Sequence, residues 1–276
     1  MSSALLWKRL EVEIERMAGE FPGVAGVSVV ELSGSHRLDF NADEEFPTAS
    51  TIKIHILTQL MMRVHRGELD LDERVCVTPQ MHVAGGGVLT LMERDIEISV
   101  LDLAILMIIV SDNTATNICI DYAGMDATNQ LLDDMGLKNT RLKRKMVDDA
   151  AIARNEENVS TPSDCTAMMR LLYTGKPVPE VAKQVLNILK KPKNTPFAQV
   201  IPKGIVIADK GGTLGRVRCD TGIVYLSRRP YAISVMTKFA LQGENQGAQF
   251  IADVVRAVHE TMVTLDATTD FGRNAP

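Results

Sequence analysis

The stretch Phe46–Glu68, FPTASTIKIHILTQLMMRVHRGE, sets a serine and a lysine three positions apart at the head of an apolar run. Pro47, Thr48 and Ser50 are loop and cap types. Ile52, Ile56, Leu57, Leu60, Met61 and Val64 then recur at helical spacing, which predicts a helix that Gly67 stops. Residues i and i+3 share a helix face, so the Lys53 amine would stand beside the Ser50 hydroxyl with its stem among aliphatic side chains. Burial lowers a lysine pKa, and a neutral amine can take a proton from serine. The competing reading is an N-cap serine followed by a surface lysine. About one S-x-x-K is expected by chance in a chain of this length, so the motif alone leaves both readings open. His55 is expected to face away from Lys53 on the helix surface.

The 276 residues are enough for a substantial core, in one domain or two interleaved lobes. A net charge of −5 with scattered Lys and Arg argues against a nucleic-acid partner. The one basic cluster, RLKRK at Arg141–Lys145, reads as a solvated or internally paired loop. The longest apolar run, Leu101–Val110, is too short to span a bilayer and contains Asp102. The first residues read as an amphipathic helix without a signal-peptide core, so the sequence as it stands predicts a cytoplasmic protein. An export signal ahead of it would instead make it periplasmic or secreted. Cys76, Cys119, Cys165 and Cys219 are widely spaced and lack histidines at ligand spacing, so they read as buried thiols, and no metal or cofactor is called for. None of the five histidines neighbours a nucleophile and a carboxylate in a way that suggests a Ser-His-Asp triad.

Outward from the serine, VAGVSVVEL and HRLDFN read as a β-hairpin, and residues 47 to about 174 as mostly helical, punctuated at Ala84–Gly87 and Tyr122–Gly124. TPSD at Thr161–Asp164 caps a further helix, and another runs near Val178–Lys191. Three period-two segments follow, IPKGIVIADKGG, RCDTGIVYL and PYAISVMTKF, and then a closing helix. Strands at both ends with helices between them predict an α+β fold with one antiparallel sheet built from both ends. Residues 1–46 and about 195–276 would form the α/β lobe, and about 47–194 an inserted helical lobe, with a cleft as the natural site.

Two further motifs keep company with Ser50 and Lys53: Ser111-Asp112-Asn113, opening SDNTATN after the apolar helix, and Asp209-Lys210-Gly211-Gly212 at the end of a strand. S-x-x-K, S-D-N and a lysine–glycine motif in this order mark class A β-lactamases and penicillin-binding proteins. The sequence resembles that serine hydrolase superfamily over essentially its whole length, including RCDTGIVY at Arg218–Tyr225. The resemblance implies a β-lactamase/transpeptidase-like fold and an acyl-Ser50 intermediate formed from a small-molecule acyl substrate. It makes Ser50 the nucleophile, Lys53 its base, Ser111 the proton relay, and Lys210 a support for Ser111. It also implies that the N–H groups of Ser50 and Thr213 hold the oxyanion, that Asn113 binds the acyl amide, and that Arg218 attracts a substrate carboxylate. Asp112 is read as structural, bonding loop amides.

Two departures qualify the likeness. The family carries Thr or Ser after the motif lysine, where its hydroxyl grips the substrate carboxylate; Gly211 stands here, and the Thr213 hydroxyl is the candidate substitute. Class A β-lactamases also carry a loop glutamate two residues after an arginine, which activates the water that clears the acyl-enzyme. The matching stretch here, RLKRKMVDDAAIARNEENVSTP, places Met146 there, with Ala150 near the position of the family's asparagine. A thioether is no base. Asp148 and Asp149 read as a helix cap, and Glu156 and Glu157 as solvated. The expectation is a serine hydrolase acting on a β-lactam, amide or ester, with slow β-lactam turnover. The alternatives are an esterase or D,D-peptidase-like amidohydrolase, and a penicillin-recognising sensor that acylates and stops.

Overall fold

The period-two segments at the two ends of the chain are gathered into one sheet. The computed structural model describes residues 2–241, 243–269 and 271–275. In chain order, its elements begin α1 (Ser2–Glu20), β1 (Val24–Glu31), β2 (Arg37–Phe40), β3 (Phe46–Pro47), α2 (Lys53–His65), β4 (Arg74–Val77), β5 (Ile96–Ser99) and α3 (Val100–Ile109). They continue with α4 (Asn113–Ala123), α5 (Met125–Asp134), α6 (Asp149–Ala153), β6 (Val159–Ser160), α7 (Pro162–Tyr173), α8 (Pro179–Leu189) and α9 (Pro196–Val200). The last are β7 (Val206–Leu214), β8 (Val217–Tyr225), β9 (Tyr231–Lys238) and α10 (Glu244–Ala267). The fold is α+β, and the chain separates into two units.

The first unit comprises the residues up to Thr51, Ser160–Arg170 and those from Asn194 onward. Its sheet has the order β2-β1-β9-β8-β7, antiparallel at each junction, so N-terminal β1 lies beside C-terminal β9. Alternation explains how both faces of the central strands are buried. Ala25, Val27 and Val29 of β1 and Tyr231, Ile233 and Val235 of β9 join Leu10 and Ile14 of α1 and Ile251, Val254 and Val258 of α10 in the main core. On the other face, buried hydroxyls satisfy one another: Thr221 with Ser234 across the strands at 2.8 Å, and Ser28 with Thr166 of α7 at 2.8 Å. β7 is the edge strand, and its outward amides have no neighbouring strand.

The second unit comprises Ile52–Val159 and Leu171–Lys193. Its axis is α2, buried from Lys53 to Met62 and surrounded by α3, α4, α5 and α8. A helix covered on all sides needs apolar residues all round, and α2 has them apart from a few polar members. One of those corrects the sequence reading: His55 is 1% exposed instead of lying on the surface. Burial pushes its pKa down to about 4, against weak support from the Ile52 backbone, and neither ring nitrogen makes a full hydrogen bond.

Other expectations change too. Residues 66–99 contain no α-helix, only short 3-10 turns at Pro79–Met81 and Leu89–Leu91, and Val75 and Val77 pair with Ile98 and Ile96 in a β4–β5 ribbon, an alternation that the helical periodicities on either side obscured. Cys76 is exposed, while Cys119, Cys165 and Cys219 are buried as expected. No helix among the described residues is long and apolar enough to cross a membrane.

Candidate active site

In the first unit, the candidate nucleophile lies not on a capped α-helix but in a 3-10 turn, Ala49–Ile52, that leads directly into α2. The α2 N-cap is Ile52 with no side-chain cap bond, so Ser50 is not spent as a cap. Ala49, just before it, is held at φ +45°, a conformation that costs a non-glycine residue on the order of 1–3 kcal/mol. The strand β7 passes so close to this turn that a Cβ at Gly212 would lie 2.8 Å from both the Ser50 nitrogen and the Thr48 carbonyl oxygen. Only glycine fits that approach, and it brings the backbone of the lysine motif against the Ser50 amide.

Along β7, Lys210 is 3% exposed and its Nζ donates to the Gly211 carbonyl at 2.6 Å. Thr213 faces Arg218 across the β7–β8 ladder, and the Arg218 guanidinium donates to the Thr213 hydroxyl. These two candidate carboxylate-binding groups are therefore joined. Beside Gly211, a Cβ would meet the Thr195 methyl at 3.4 Å, so Thr195 fills part of the space that a larger residue at 211 would use. The Thr195 hydroxyl is itself committed, donating to Asp209 at 2.5 Å and accepting from the Ala198 amide at 3.1 Å. Asp220, in register with Gly211, accepts from the Phe197 amide at 3.1 Å. Burial and the Asp209 charge push its carboxyl well above the ordinary carboxylate range.

In the second unit, the predicted residues meet directly. Lys53 is fully buried, and its Nζ donates to the Ser111 carbonyl at 2.8 Å, the Ser111 hydroxyl at 3.1 Å and Asn113 Oδ1 at 3.1 Å. Ser111 adopts φ +56°, which turns its side chain and its carbonyl toward the same amine. Asp112 is structural, as expected: one carboxylate oxygen accepts from the Val88 and Leu89 amides at 2.7 and 2.8 Å, and the other caps α4 through Ala115 at 2.9 Å. Burial pushes the nearby Cys119 thiol up to about 12, which leaves it no thiolate character near neutral pH.

The glycines at 85–87, read from sequence as punctuation, wrap this turn. A Cβ at Gly85 would lie 2.8 Å from Asn113 Nδ2, and one at Gly87, which adopts φ +115°, would collide with the Asp112 carboxylate. The Asn113 amide donates to the Gly86 carbonyl at 3.0 Å, and Asn113 Nδ2 to the Ala84 carbonyl at 2.9 Å. Three successive glycines 25 residues before the motif were the available signal, and their meaning lies in a contact that spacing does not reveal.

Residues 141–159 form a closed loop. The Arg141 and Val159 backbones bond reciprocally, Asn158 Oδ1 accepts from the Lys143 and Arg144 amides, and Asn158 Nδ2 donates to the Arg144 carbonyl. Buried Arg144 pairs with Glu157 at 2.7 Å, so Glu157 is an ion-pair partner and not a solvated charge. The RLKRK cluster is internally paired: Arg141 with Asp133 and Lys145 with Asp121, besides Arg144. Met146 is 8% exposed, and Asn117 clamps its backbone, Oδ1 accepting from the Met146 amide at 2.7 Å and Nδ2 donating to its carbonyl at 3.1 Å. Asp148 caps α6 through Ala151 at 3.0 Å, as its place before AAIA predicted. Among the described residues, no group of three His, Cys, Asp or Glu side chains could hold a metal ion.

Comparison with known proteins accounts for this combination of elements. Residues 9–262 match the profile of the beta-lactamase enzyme family. The chain belongs to that family. The beta-lactamase of Sphaerobacter thermophilus superposes with a TM-score of 0.85 at 28% identity, covering 93% of this chain and 98% of that one. PBP-A superposes at 0.82 and 29% identity, covering 91% and 95%. Among curated relatives, the imipenem-hydrolyzing beta-lactamase of Enterobacter cloacae is 26% identical over 234 residues, 82% of this chain and 80% of its own length. Within the beta-lactamase fold, Gly211 lies in strand β7 and Met146 in a loop whose backbone Asn117 holds.

Proposed function

We propose that this hydrolase of the beta-lactamase family acts through an acyl-Ser50 intermediate on a β-lactam, amide or ester, and that its β-lactam adducts clear slowly. In the acylation step the Ser50 Oγ attacks the substrate carbonyl and its proton passes to the Lys53 amine. The Ser111 hydroxyl delivers a proton to the leaving nitrogen as the C–N bond breaks and is reprotonated from Lys53. The Ser50 and Thr213 amides receive the oxyanion; Arg218 and Thr213 receive a substrate carboxylate in place of the hydroxyl missing at 211. Asn113 already holds Lys53 through Oδ1 and Ala84 through one N–H, which leaves its second N–H for the acyl amide.

The observation that carries this reading is the Lys53 amine, fully buried and 3.1 Å from the Ser111 hydroxyl, on the helix that the Ser50 turn leads into. Met146 supports slow clearance, since the residue there offers no base and the neighbouring carboxylates of Asp148 and Glu157 are engaged in a cap and an ion pair. The likeness to PBP-A is consistent with a persistent adduct: a leucine-to-glutamate variant of that protein was solved as an acyl-enzyme complex with penicillin G.

Intact-mass spectrometry of the penicillin-treated protein is the test. One covalent adduct is expected to accumulate and to vanish entirely in Ser50→Ala. Rapid multiple turnover without an adduct would restore an ordinary β-lactamase reading, and an adduct that survives Ser50→Ala would remove Ser50 as nucleophile.

A further inference from the structure

The first unit carries a pocket that acyl transfer does not use. It measures about 320 Å3 and lies where the β1–β2 and β8–β9 turns come together, lined by Glu31, Ser33, Ser35, His36, Arg228 and Arg229, with Gly34 at its edge. Glu31 is 3% exposed and both of its oxygens are engaged: Arg229 Nη1 donates to Oε1 at 2.8 Å, and His36 Nδ1 lies 3.0 Å from Oε2. A Cβ at Gly34 would come within 2.7 Å of Oε2, so the turn lies close over the carboxylate. Asp266 of α10 pins the opposite turn, accepting from the Arg228 and Arg229 amides at 2.7 and 2.6 Å. The His36 ring lies flat against Trp7, centroids 5.5 Å apart at 4°.

With its Nδ1 turned to Glu31, His36 has only Nε2 left for a ligand, and that atom becomes a donor when the ring is protonated. Arg228 is exposed, its Nη1 donating to the Asp266 and Thr268 carbonyls at 3.1 and 3.4 Å, and its other guanidinium N–H groups and the Ser35 hydroxyl are donors as well. A buried carboxylate that fixes an imidazole and a guanidinium beside a second guanidinium is an arrangement suited to a bulky, doubly charged oxygen anion.

We propose that this pocket binds a phosphate-type oxyanion, free or as the head group of a monoester, through Arg228, Ser35 and protonated His36. The charged groups that line the pocket with His36 are Glu31, Arg228 and Arg229, Asp266 accepts from the backbone of the last two, and α1, which brings Trp7 to the ring, carries the Lys8–Glu11 pair. Trp7, the only tryptophan, reports on the site, because a protonated imidazole stacked on an indole quenches its fluorescence. The full-length protein would be titrated from about pH 8 to about pH 5, the range in which histidine changes charge. The titrations are run in chloride, inorganic phosphate and glycerol 3-phosphate at matched ionic strength.

Binding that favours the protonated ring tenfold raises the midpoint of the quench by about one pH unit. Such a rise is expected in both phosphate arms, and a larger one in the ester arm identifies a monoester as the ligand. Arg228→Gln is expected to remove the rise, and His36→Gln to remove the quench in every buffer. An unchanged wild-type midpoint, a rise that survives Arg228→Gln, or a quench that survives His36→Gln would overturn the assignment.

Discussion

The turn around Ser111 and the loop 141–159 belong to the same unit and are held equally tightly, yet by different kinds of atom. At the turn, the groups that would do chemistry are the groups that make the structure: the Lys53 amine, the Ser111 hydroxyl and the Asn113 amide bond one another. In the loop, two asparagines and an arginine grip backbone, and the side chain at 146 takes no part in any of those bonds. Chemistry and scaffold are therefore inseparable in the first region and separable in the second. On the proposed assignment, the side chain at 146 can change while the loop keeps its bonds, whereas a turn that lost its lysine would lose both.

The largest expected effect tests the inseparable half. Lys53→Ala should slow acylation by about 10²–10⁴-fold, the usual worth of a positioned base, and should also loosen the turn, read as faster amide exchange across Ser111–Asn113. Wild-type acylation in this variant would break the proposed assignment of the base.

His55, two residues on, gives a pH dependence with a definite sign. Its folded pKa is held near 4, below the ordinary 6.5, so the fold favours the neutral ring. The unfolded chain takes up the proton first as pH falls. Stability is full above about pH 6.5 and declines toward pH 4 by roughly 3 kcal/mol from this group alone. His55→Leu should flatten the urea-unfolding free energy across that range; a slope equal to the wild type's would show that His55 is not its source.

Asn117→Ala removes both bonds to the Met146 backbone and should cost about 1–3 kcal/mol in the same assay. It should leave acylation nearly unchanged, which sharpens the contrast with Lys53→Ala.

The smallest expected effect is a gain. Met146→Glu should speed clearance of the penicillin adduct by on the order of tenfold, well short of the full value of a general base, because no neighbouring group was shaped to aim a carboxylate. Combining it with Asn117→Ala should erase the gain, measured as adduct lifetime by mass spectrometry.

Legibility in the sequence followed the range of the interactions involved. The sheet strands were visible because Val27 and Val29 or Ile233 and Val235 alternate with their neighbours locally, and the first two motifs because each sits at a helix start; the lysine–glycine motif, expected at a strand end, lies inside β7, which runs on to Leu214. His55 was misplaced because helical periodicity marks one buried face, and α2 is buried all round. The β4–β5 ribbon was missed because four-residue strands carry little pattern, and the roles of Gly85–Gly87 and Asn117 depend on contacts between segments about 25 to 30 residues apart. Glu157 gave no sign of its partner, Arg144, which lies 13 residues away across the same loop.

The Asn117 clamp also bears on how such a protein can change over generations. Because it reads only the main chain, a change of side chain at position 146 leaves both clamp bonds in place, and its cost lies in the packing of a side chain that is 8% exposed. On the proposed role of position 146, a clearing base could then be gained or lost without breaking those two bonds. On that role, ancestry and present activity part at one codon, in a chain that keeps the fold of its family while its encounter with a β-lactam ends differently.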